Sequence, residues 1–550
     1  MAIATTILRP LARVAAMHAG RLAKAFVAAH RRTRQTQDEL LAELLARHRQ
    51  TAFGRDHGLG KVRTYEQFVR AVPLGGYETH RPYIRRVLEG ETTALLPPDE
   101  QVLMFSLTSG TTGEPKHIPV TGRFAAEMRR GWNVFGIRLL QDHPAGFMRH
   151  ILAIASPMRE ASSPTGLPCG AVSGLLRRHQ KPIVRRMYAA PPAAAEIKDP
   201  HAKYYTLLRC GVGRDVGIIT TANPSSTIKL AEAGQAEPER LIRDVRDGTI
   251  TPPGEADAAL LDAVRKARRF RPRPRLARRM EAGLSADGEL LPRHYWRPPL
   301  LTNWTGGTLG LYLPRLRELF DGSPIRDIGL LASEGRFSVP LADGTPAGVA
   351  EITGNFLEFI PAAERDRERP VVLRAHELEE GEEYFLVFSN FTGLWRYNLD
   401  DRVRVTGKLG ESPVFEFLCR GRQTVSITGE KVTEHQVVEA MRRAAAALGT
   451  AVDRFVIQGR FADTPYYELR VEADGVGRPA ALAAGVDERL RELNIEYDAK
   501  RGSGRLGPIR PQVLEPGSFE RAEREHLRRR GRQEQYKHQY LLTDVLNDKA

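Results

Sequence analysis

Residues 35–50, Gln-Thr-Gln-Asp-Glu-Leu-Leu-Ala-Glu-Leu-Leu-Ala-Arg-His-Arg-Gln, repeat leucine pairs at helical spacing with charges between them, which predicts an amphipathic helix. Gly54 and Gly58 interrupt that pattern. Short apolar runs then alternate with helical stretches: Val102-Leu-Met-Phe105, Ile151-Leu-Ala-Ile-Ala155, Val216-Gly-Ile-Ile-Thr220 and Ile328-Gly-Leu-Leu331. The alternation predicts an α/β architecture. Further on the texture turns to strands, at 350–353, 356–360, 383–388 and 402–405, as expected of a mixed or antiparallel subdomain. A fresh helix over 434–448 and a strand over 451–457 mark a new unit. The expected organisation is a large N-terminal domain, 1–422, with a strand-rich subdomain, followed by a small, mobile α+β C-terminal domain, 423–550.

With 550 residues the chain exceeds one core, at roughly 100 to 200 residues per domain. No apolar run approaches the ~20 residues of a membrane span, so an integral membrane protein is excluded. Cys169, Cys210 and Cys419 lack metal-ligand or redox spacing and are expected as core thiols in a reducing, cytoplasmic setting. The net charge of +15 matters through its distribution. Before the first acidic residue, Asp38, lie Arg9, Arg13, Arg21, Lys24, Arg31, Arg32 and Arg34; this reads as a terminal helix, with peripheral contact to an anionic membrane surface left open. Arginine tracts at 265–279 and 521–532 accompany no nucleic-acid module and read as solvated basic faces, so no specific nucleic-acid partner is expected.

The densest chemistry lies at Ser106-Leu-Thr-Ser-Gly-Thr-Thr-Gly-Glu-Pro-Lys116. Backbone N–H groups at Gly110 and Gly113 can converge on anionic oxygens, the hydroxyls of Thr108, Ser109, Thr111 and Thr112 add donors, and Lys116 adds a cation. It is not a Walker A loop, because Lys116 comes three residues after Gly113 instead of directly after it. Three weaker constellations follow. Asn303-Trp-Thr-Gly-Gly307 is a glycine turn beside an aromatic. Ala332-Ser333-Glu334 follows an apolar run, so Glu334 is expected at a strand end, where a carboxylate can hold Mg²⁺. In Trp395-Arg-Tyr-Asn-Leu-Asp-Asp401 a carboxylate can accept both hydroxyls of a ribose, while Asp400 and Asp401 could equally pair with Arg396 and Arg402.

In this order the segments resemble the acyl-acid amido synthetases of the auxin-responsive Gretchen Hagen family, related to the AMP-forming adenylating superfamily. The resemblance runs from Thr51-Ala-Phe-Gly-Arg-Asp-His-Gly58 through Thr108–Lys116, Leu330–Glu334 and Trp395–Asp401 to Gln535-Tyr-Lys537. It implies an enzyme that uses ATP and Mg²⁺ to adenylate a small carboxylic acid and passes the acyl group to an amine, with an amino acid as the expected acceptor. It implies that Ser109, Thr111 and Thr112 face the phosphates, with Thr108, Gly110, Gly113 and Lys116 in the same loop. Ser333 and Arg422 join the nucleotide-binding set, Glu334 holds the metal and Asp401 grips the ribose. Lys537 is the catalytic cation, carried on the small domain, and Gly421–Lys431 is a hinge. The chain departs from the family pattern at Leu330, where the pattern has tyrosine, and at Asp400, where it has glycine. Two rivals stay open: a thiol such as coenzyme A as acceptor, and a nucleotide-binding or membrane-surface protein without catalysis.

Overall fold

The leucine stripe is buried as its spacing requires: in α1 (Thr33–His48) Leu40, Leu41, Leu44 and Leu45 all face the core. Gln37 shares that buried face because its amide is fully used. Its Nε2 donates to the carbonyls of Ile352 (2.6 Å) and Asn355 (2.9 Å), and its Oε1 accepts from the Leu357 N–H (2.7 Å). This computed structural model describes residues 20–547 except 109–115, 155–157, 181, 422, 423, 426, 429, 431, 463, 474–476, 503–505 and 531–537. It divides into two units, Met1–Thr305 with Leu316–Phe417, and Gly306–Arg315 with Leu418–Ala550. Among the described residues no helix is long and apolar enough to cross a membrane.

Three sheets organise the first unit. One has the order β2-β1-β5-β4, from β1 (Val102–Thr108), β2 (Lys116–Thr121), β4 (Ala161–Ser162) and β5 (Pro168–Gly170). The second is parallel, in the order β3 (His150–Ala153), β6 (Val216–Thr220), β7 (Leu300–Asn303) and β8 (Ile325–Asp327). Its inner strands are buried along almost their whole length, which is why they read as continuous apolar runs. After a hairpin of β9 (Leu331–Ala332) and β10 (Gly335–Arg336), the third sheet gathers β11 (Ser338–Val339), β12 (Gly348–Ala350), β13 (Asn355–Pro361), β14 (Leu373–Arg374), β15 (Glu383–Asn390), β16 (Tyr397–Leu409) and β17 (Ser412–Arg420). Its order is β11-β12-β17-β16-β15-β13-β14, the strand-rich part expected from the sequence. Cys169, Cys210 and Cys419 are buried free thiols.

Two local expectations fail for identifiable reasons. Residues 328–331 do not form the parallel strand, which is β8 and ends at Asp327. The Asp327 carboxylate accepts the Gly329 N–H at 2.6 Å, and Gly329 turns away at φ +89°, where a Cβ would lie 2.4 Å from the Ser338 carbonyl oxygen. Asp400 and Asp401 do not precede the strand at 402–405 but lie inside the longer β16. Asp400 adopts φ +63°, and the register of β16 with β15 shifts between Phe385 and Val387, the signature of a bulge.

The second unit is α+β. A mixed sheet is ordered β22 (Arg510–Leu514), β21 (Tyr466–Glu472), β20 (Val456–Phe461) and β23 (Leu541–Asn547), with β18 (Thr424–Val425) and β19 (Val432–Thr433) forming a small hairpin. The predicted helix is Glu434–Ala447. Thr433 Oγ1 accepts from the Gln436 N–H at 3.2 Å and Gln436 Oε1 accepts from the Thr433 N–H at 3.1 Å, a reciprocal cap that fixes where the helix starts.

Candidate active site

The apolar residues Met104, Phe105 and Leu107 anchor β1 in the core, and antiparallel pairing sets Thr108 opposite Lys116. Thr108 therefore ends one strand and Lys116 begins the next; Ser109, Gly110, Thr111, Thr112 and Gly113 between them lie outside the described residues, as do Arg422 and Lys537. Lys116 Nζ stands 5.4 Å from the centroid of the Tyr77 ring, and the Tyr77 hydroxyl accepts the His117 N–H at 3.1 Å. Tyr77 thus braces the foot of the loop through cation–π attraction and a main-chain bond.

Tyr77 opens α2 (Tyr77–Leu88), and the residues just before it are tied to the start of β16. The Gly75 N–H donates to the Arg396 carbonyl at 3.2 Å, and the Asn398 N–H donates to the Gly75 carbonyl at 2.7 Å. One turn into α2, buried His80 faces the Gly76 carbonyl through Nδ1 (3.0 Å) and the Trp395 N–H through Nε2 (2.9 Å). A carbonyl can only accept and an N–H only donate, so the neutral ring carries its proton on Nδ1. Burial lowers the His80 pKa to about 4. Because the folded value lies below the unfolded ~6.5, the unfolded chain takes up the proton first as pH falls, and the stability this residue contributes above pH ~6.5 is lost progressively down to pH ~4, ~3 kcal/mol in all. The unfolding free energy measured from pH 7 to pH 4.5 should therefore fall in the wild type with about one proton more dependence than in His80→Gln. Equal slopes would exclude His80 as the titrating group.

Ser333 and Glu334 form the tip of the β9–β10 hairpin. Glu334 is only 2% exposed. Its carbonyl accepts Asn390 Nδ2 at 2.8 Å, and its carboxylate has the Tyr397 hydroxyl at 3.5 Å, with no basic side chain in ion-pairing distance among the described residues. Burial alternates along β16, so that Asp401 falls in register with buried Tyr397, Leu399 and Val403. A carboxylate on an otherwise apolar face is a costly choice. Asp400 bonds half-buried Arg365, and Arg402 pairs with Glu383.

Arg396 does not pair with either aspartate. It is 3% exposed and its Nε lies 3.1 and 3.2 Å from the two carboxylate oxygens of fully buried Glu358, which also accepts the Tyr65 hydroxyl at 2.8 Å. Arg396 Nη1 donates to the Val72 carbonyl at 3.0 Å. Near the carboxyl ends of the parallel strands, Asn303 Nδ2 bonds Thr221 and Thr227 at 3.2 Å, Trp304 Nε1 donates to the Gly329 carbonyl at 2.8 Å, and Asp327 accepts from Thr305 N (2.6 Å) and Oγ1 (2.8 Å). Burial raises the Asp327 pKa to about 6. The Trp304 indole N–H is spent on the main chain, which makes this turn a brace between strands.

The fold thus links Lys116, Tyr77, Gly75, Tyr397 and Glu334 by successive contacts, with Asp401 on the strand that Tyr397 begins. Among the described residues no three His, Cys, Asp or Glu side chains cluster as a metal set. Glu334 is nonetheless a buried hard-oxygen donor with no basic partner among the described residues, which fits a Mg²⁺ held by one carboxylate, substrate phosphates and water. Sequence reasoning missed the tie from Asn390, which no local motif marks, and the role of His80, which only its burial reveals.

A profile of the GH3 family N-terminal domain matches residues 22–325, one of the central domain matches 349–420, and one of the C-terminal domain matches 435–545. Indole-3-acetic acid-amido synthetase GH3.8 of Oryza sativa subsp. indica is 27% identical over 528 residues, 88% of this chain and 84% of that protein. Jasmonoyl-L-amino acid synthetase GH3.5 of Oryza sativa subsp. japonica is 24% identical over 519 residues, 88% of each. Among solved structures, that of GH3.15 acyl acid amido synthetase aligns with a TM-score of 0.81 at 22% identity, covering 95% of this chain and 94% of that one.

Proposed function

The chain belongs to the GH3 family, and from that premise we propose that it is an ATP-dependent acyl-acid amido synthetase with a small carboxylic acid and an amino acid as substrates. The observation that carries the reading is the buried Glu334 at a hairpin tip, with no basic partner among the described residues, joined through Tyr397, Gly75 and Tyr77 to Lys116 at the foot of the Ser/Thr/Gly segment.

In the first step an oxygen of the acid attacks the α-phosphorus of ATP as the bond to pyrophosphate breaks. In the second the amine nitrogen attacks the acyl carbon, AMP leaves and the amine loses a proton. Activation is needed because a free carboxylate would have to expel oxide, whereas AMP leaves readily. Ser109, Thr111 and Thr112, with Thr108, Gly110, Gly113 and Lys116, bind the phosphates in this reading, and Ser333 and Arg422 complete the nucleotide contacts. Asp401 orients the ribose. Glu334 would hold Mg²⁺, which when bound neutralises phosphate charge. Lys537 supplies the positive charge that stabilises the transition state at the α-phosphate. The small domain, 423–550, would bring Lys537 in and shut water out. The two rice relatives bear the names of different acids, so neither acid is assigned here.

Carboxylate-dependent ATP–pyrophosphate exchange with aryl, indolyl and fatty acids, without amine, tests the reading. Exchange with one class, followed by amide formation on adding amino acids, is expected; thioester formation with coenzyme A alone, or Mg-ATP binding without exchange for any acid, would overturn it. Lys537→Ala should slow exchange while leaving ATP binding intact, and an unchanged rate would remove Lys537 from the mechanism.

A further inference from the structure

A second site is suggested by a cavity of about 510 Å³ at the amino-terminal edge of the parallel sheet, lined by His150, Arg209, Arg214, Arg268, Arg271 and Arg273. The volume suits a small molecule. Its position is set by β3 and β6, which begin at His150 and Val216, and by the end of α3 (Pro200–Gly211), so it opens at the opposite end of these strands from the Asn303–Asp327 cluster.

The charge lining this cavity is poorly compensated. Among the described residues the Arg268 guanidinium donates only to carbonyls, those of Tyr188, Ala189 and Ala267. The guanidinium groups of Arg214, Arg271 and Arg273 make no hydrogen bond or ion pair among the described residues. Arg209, stacked 4.7 Å from the centre of the Phe270 ring, donates to the carbonyls of Thr249 (2.9 Å), Asp244 (2.8 Å) and Val212 (3.4 Å). The carboxylate on the rim, Asp215, is engaged by Arg149 at 2.7 Å and by Arg297. Burial first, and then the neighbouring Arg268 and Arg273, lower the pKa of Arg214, and burial followed by Arg214 and Arg268 lowers that of His150 against the opposing pull of Asp215. Gly213 keeps the wall thin: at φ +89° it lets Arg273 lie against the main chain, where a Cβ would come within 3.0 Å of Arg273 Cδ.

We propose that this cavity binds a small, multiply charged phosphate ester, its phosphates gripped by Arg214, Arg271 and Arg273 and its body lodged against the wall formed by Arg268 and Phe270. Guanidinium forks match phosphate geometry two bonds at a time, and a concave site of this volume is sized for a small molecule. The arginines come from the 265–279 tract and the α3–β6 connection, and none belongs to the proposed adenylation site.

The test is calorimetric titration of 2,3-bisphosphoglycerate into the full chain, the double variant Arg214→Gln/Arg271→Gln, and the control Arg275→Gln/Arg278→Gln, whose exposed positions lie just beyond the cavity. One bound ligand per chain is expected, weakened by added salt, at least ~10-fold weaker in the cavity variant and little changed in the control. Arg271→Gln alone, at an exposed position without a partner, should weaken binding in the same direction without altering the melting temperature. Absence of binding to the wild type, equal weakening in cavity and control variants, or binding of a single-stranded oligonucleotide in preference to the bisphosphate would overturn the proposal.

Discussion

Glu334→Gln should lower carboxylate-dependent ATP–pyrophosphate exchange by about 10²- to 10³-fold while leaving the melting temperature nearly unchanged. The asymmetry follows from how the hairpin is held. Its fold-determining contacts are the β9–β10 pairing and the bond from Asn390 Nδ2 to the Glu334 carbonyl, neither of which uses the carboxylate. The side chain itself has only the Tyr397 hydroxyl at 3.5 Å and no ion pair among the described residues. An amide of the same shape keeps the packing and removes the charge that a divalent cation requires. The measurement is exchange as a function of Mg²⁺ concentration, in which partial recovery at high Mg²⁺ is expected. A variant as active as the wild type at low Mg²⁺ would show that Glu334 holds no metal.

Arg396→Met should cost about 3–5 kcal/mol of stability, because it strands the fully buried carboxylate of Glu358 without its counter-charge. The Tyr65 hydroxyl would then be the remaining side-chain donor to that carboxylate, and the Val72 carbonyl would lose its guanidinium partner. Replacing both partners, Arg396→Met with Glu358→Leu, should recover most of the loss, since a buried ion pair can be exchanged for apolar packing at little net cost. Urea unfolding of the two single variants and the double variant forms the cycle that checks this, and additive losses would mean that the pair is not coupled. Function should follow stability here. The Arg396 carbonyl receives the Gly75 N–H, so loosening Arg396 also loosens the link between β16 and Tyr77. The single variant should therefore raise the KM for ATP before it unfolds.

The Asp400–Asp401 pair illustrates how position and environment separate two adjacent, chemically identical groups. Asp400 occupies φ +63°, a conformation that glycine adopts most readily and aspartate tolerates. Its side chain turns outward to Arg365. Asp401, one residue on, stays 5% exposed and is the one proposed to meet the ribose.

What the sequence determined by itself is what depends on near neighbours along the chain. Helical spacing of leucines gave α1, and the capped start of the helix Glu434–Ala447 follows from Thr433 and Gln436 three residues apart. The apolar run at Val216–Thr220 gave a buried strand. The order of motifs marked the family. Tertiary structure decided what depends on partners far away in sequence. Nothing near Arg396 announces Glu358, and nothing near Lys116 announces Tyr77; the pairing of β13, β15 and β16 in the third sheet brings the first two together, and the packing of α2 against β2 brings the second two together. Glu334 reads as a strand-end carboxylate until the turn at Gly329, enforced by the approach of the Ser338 carbonyl, puts it at a hairpin tip. The arginines of 265–279 read as a solvated face until the neighbouring start of β6 and end of α3 supply the other walls of a cavity. Local propensity acts over a few residues, whereas burial and the pairing of buried charge are properties of the closed fold.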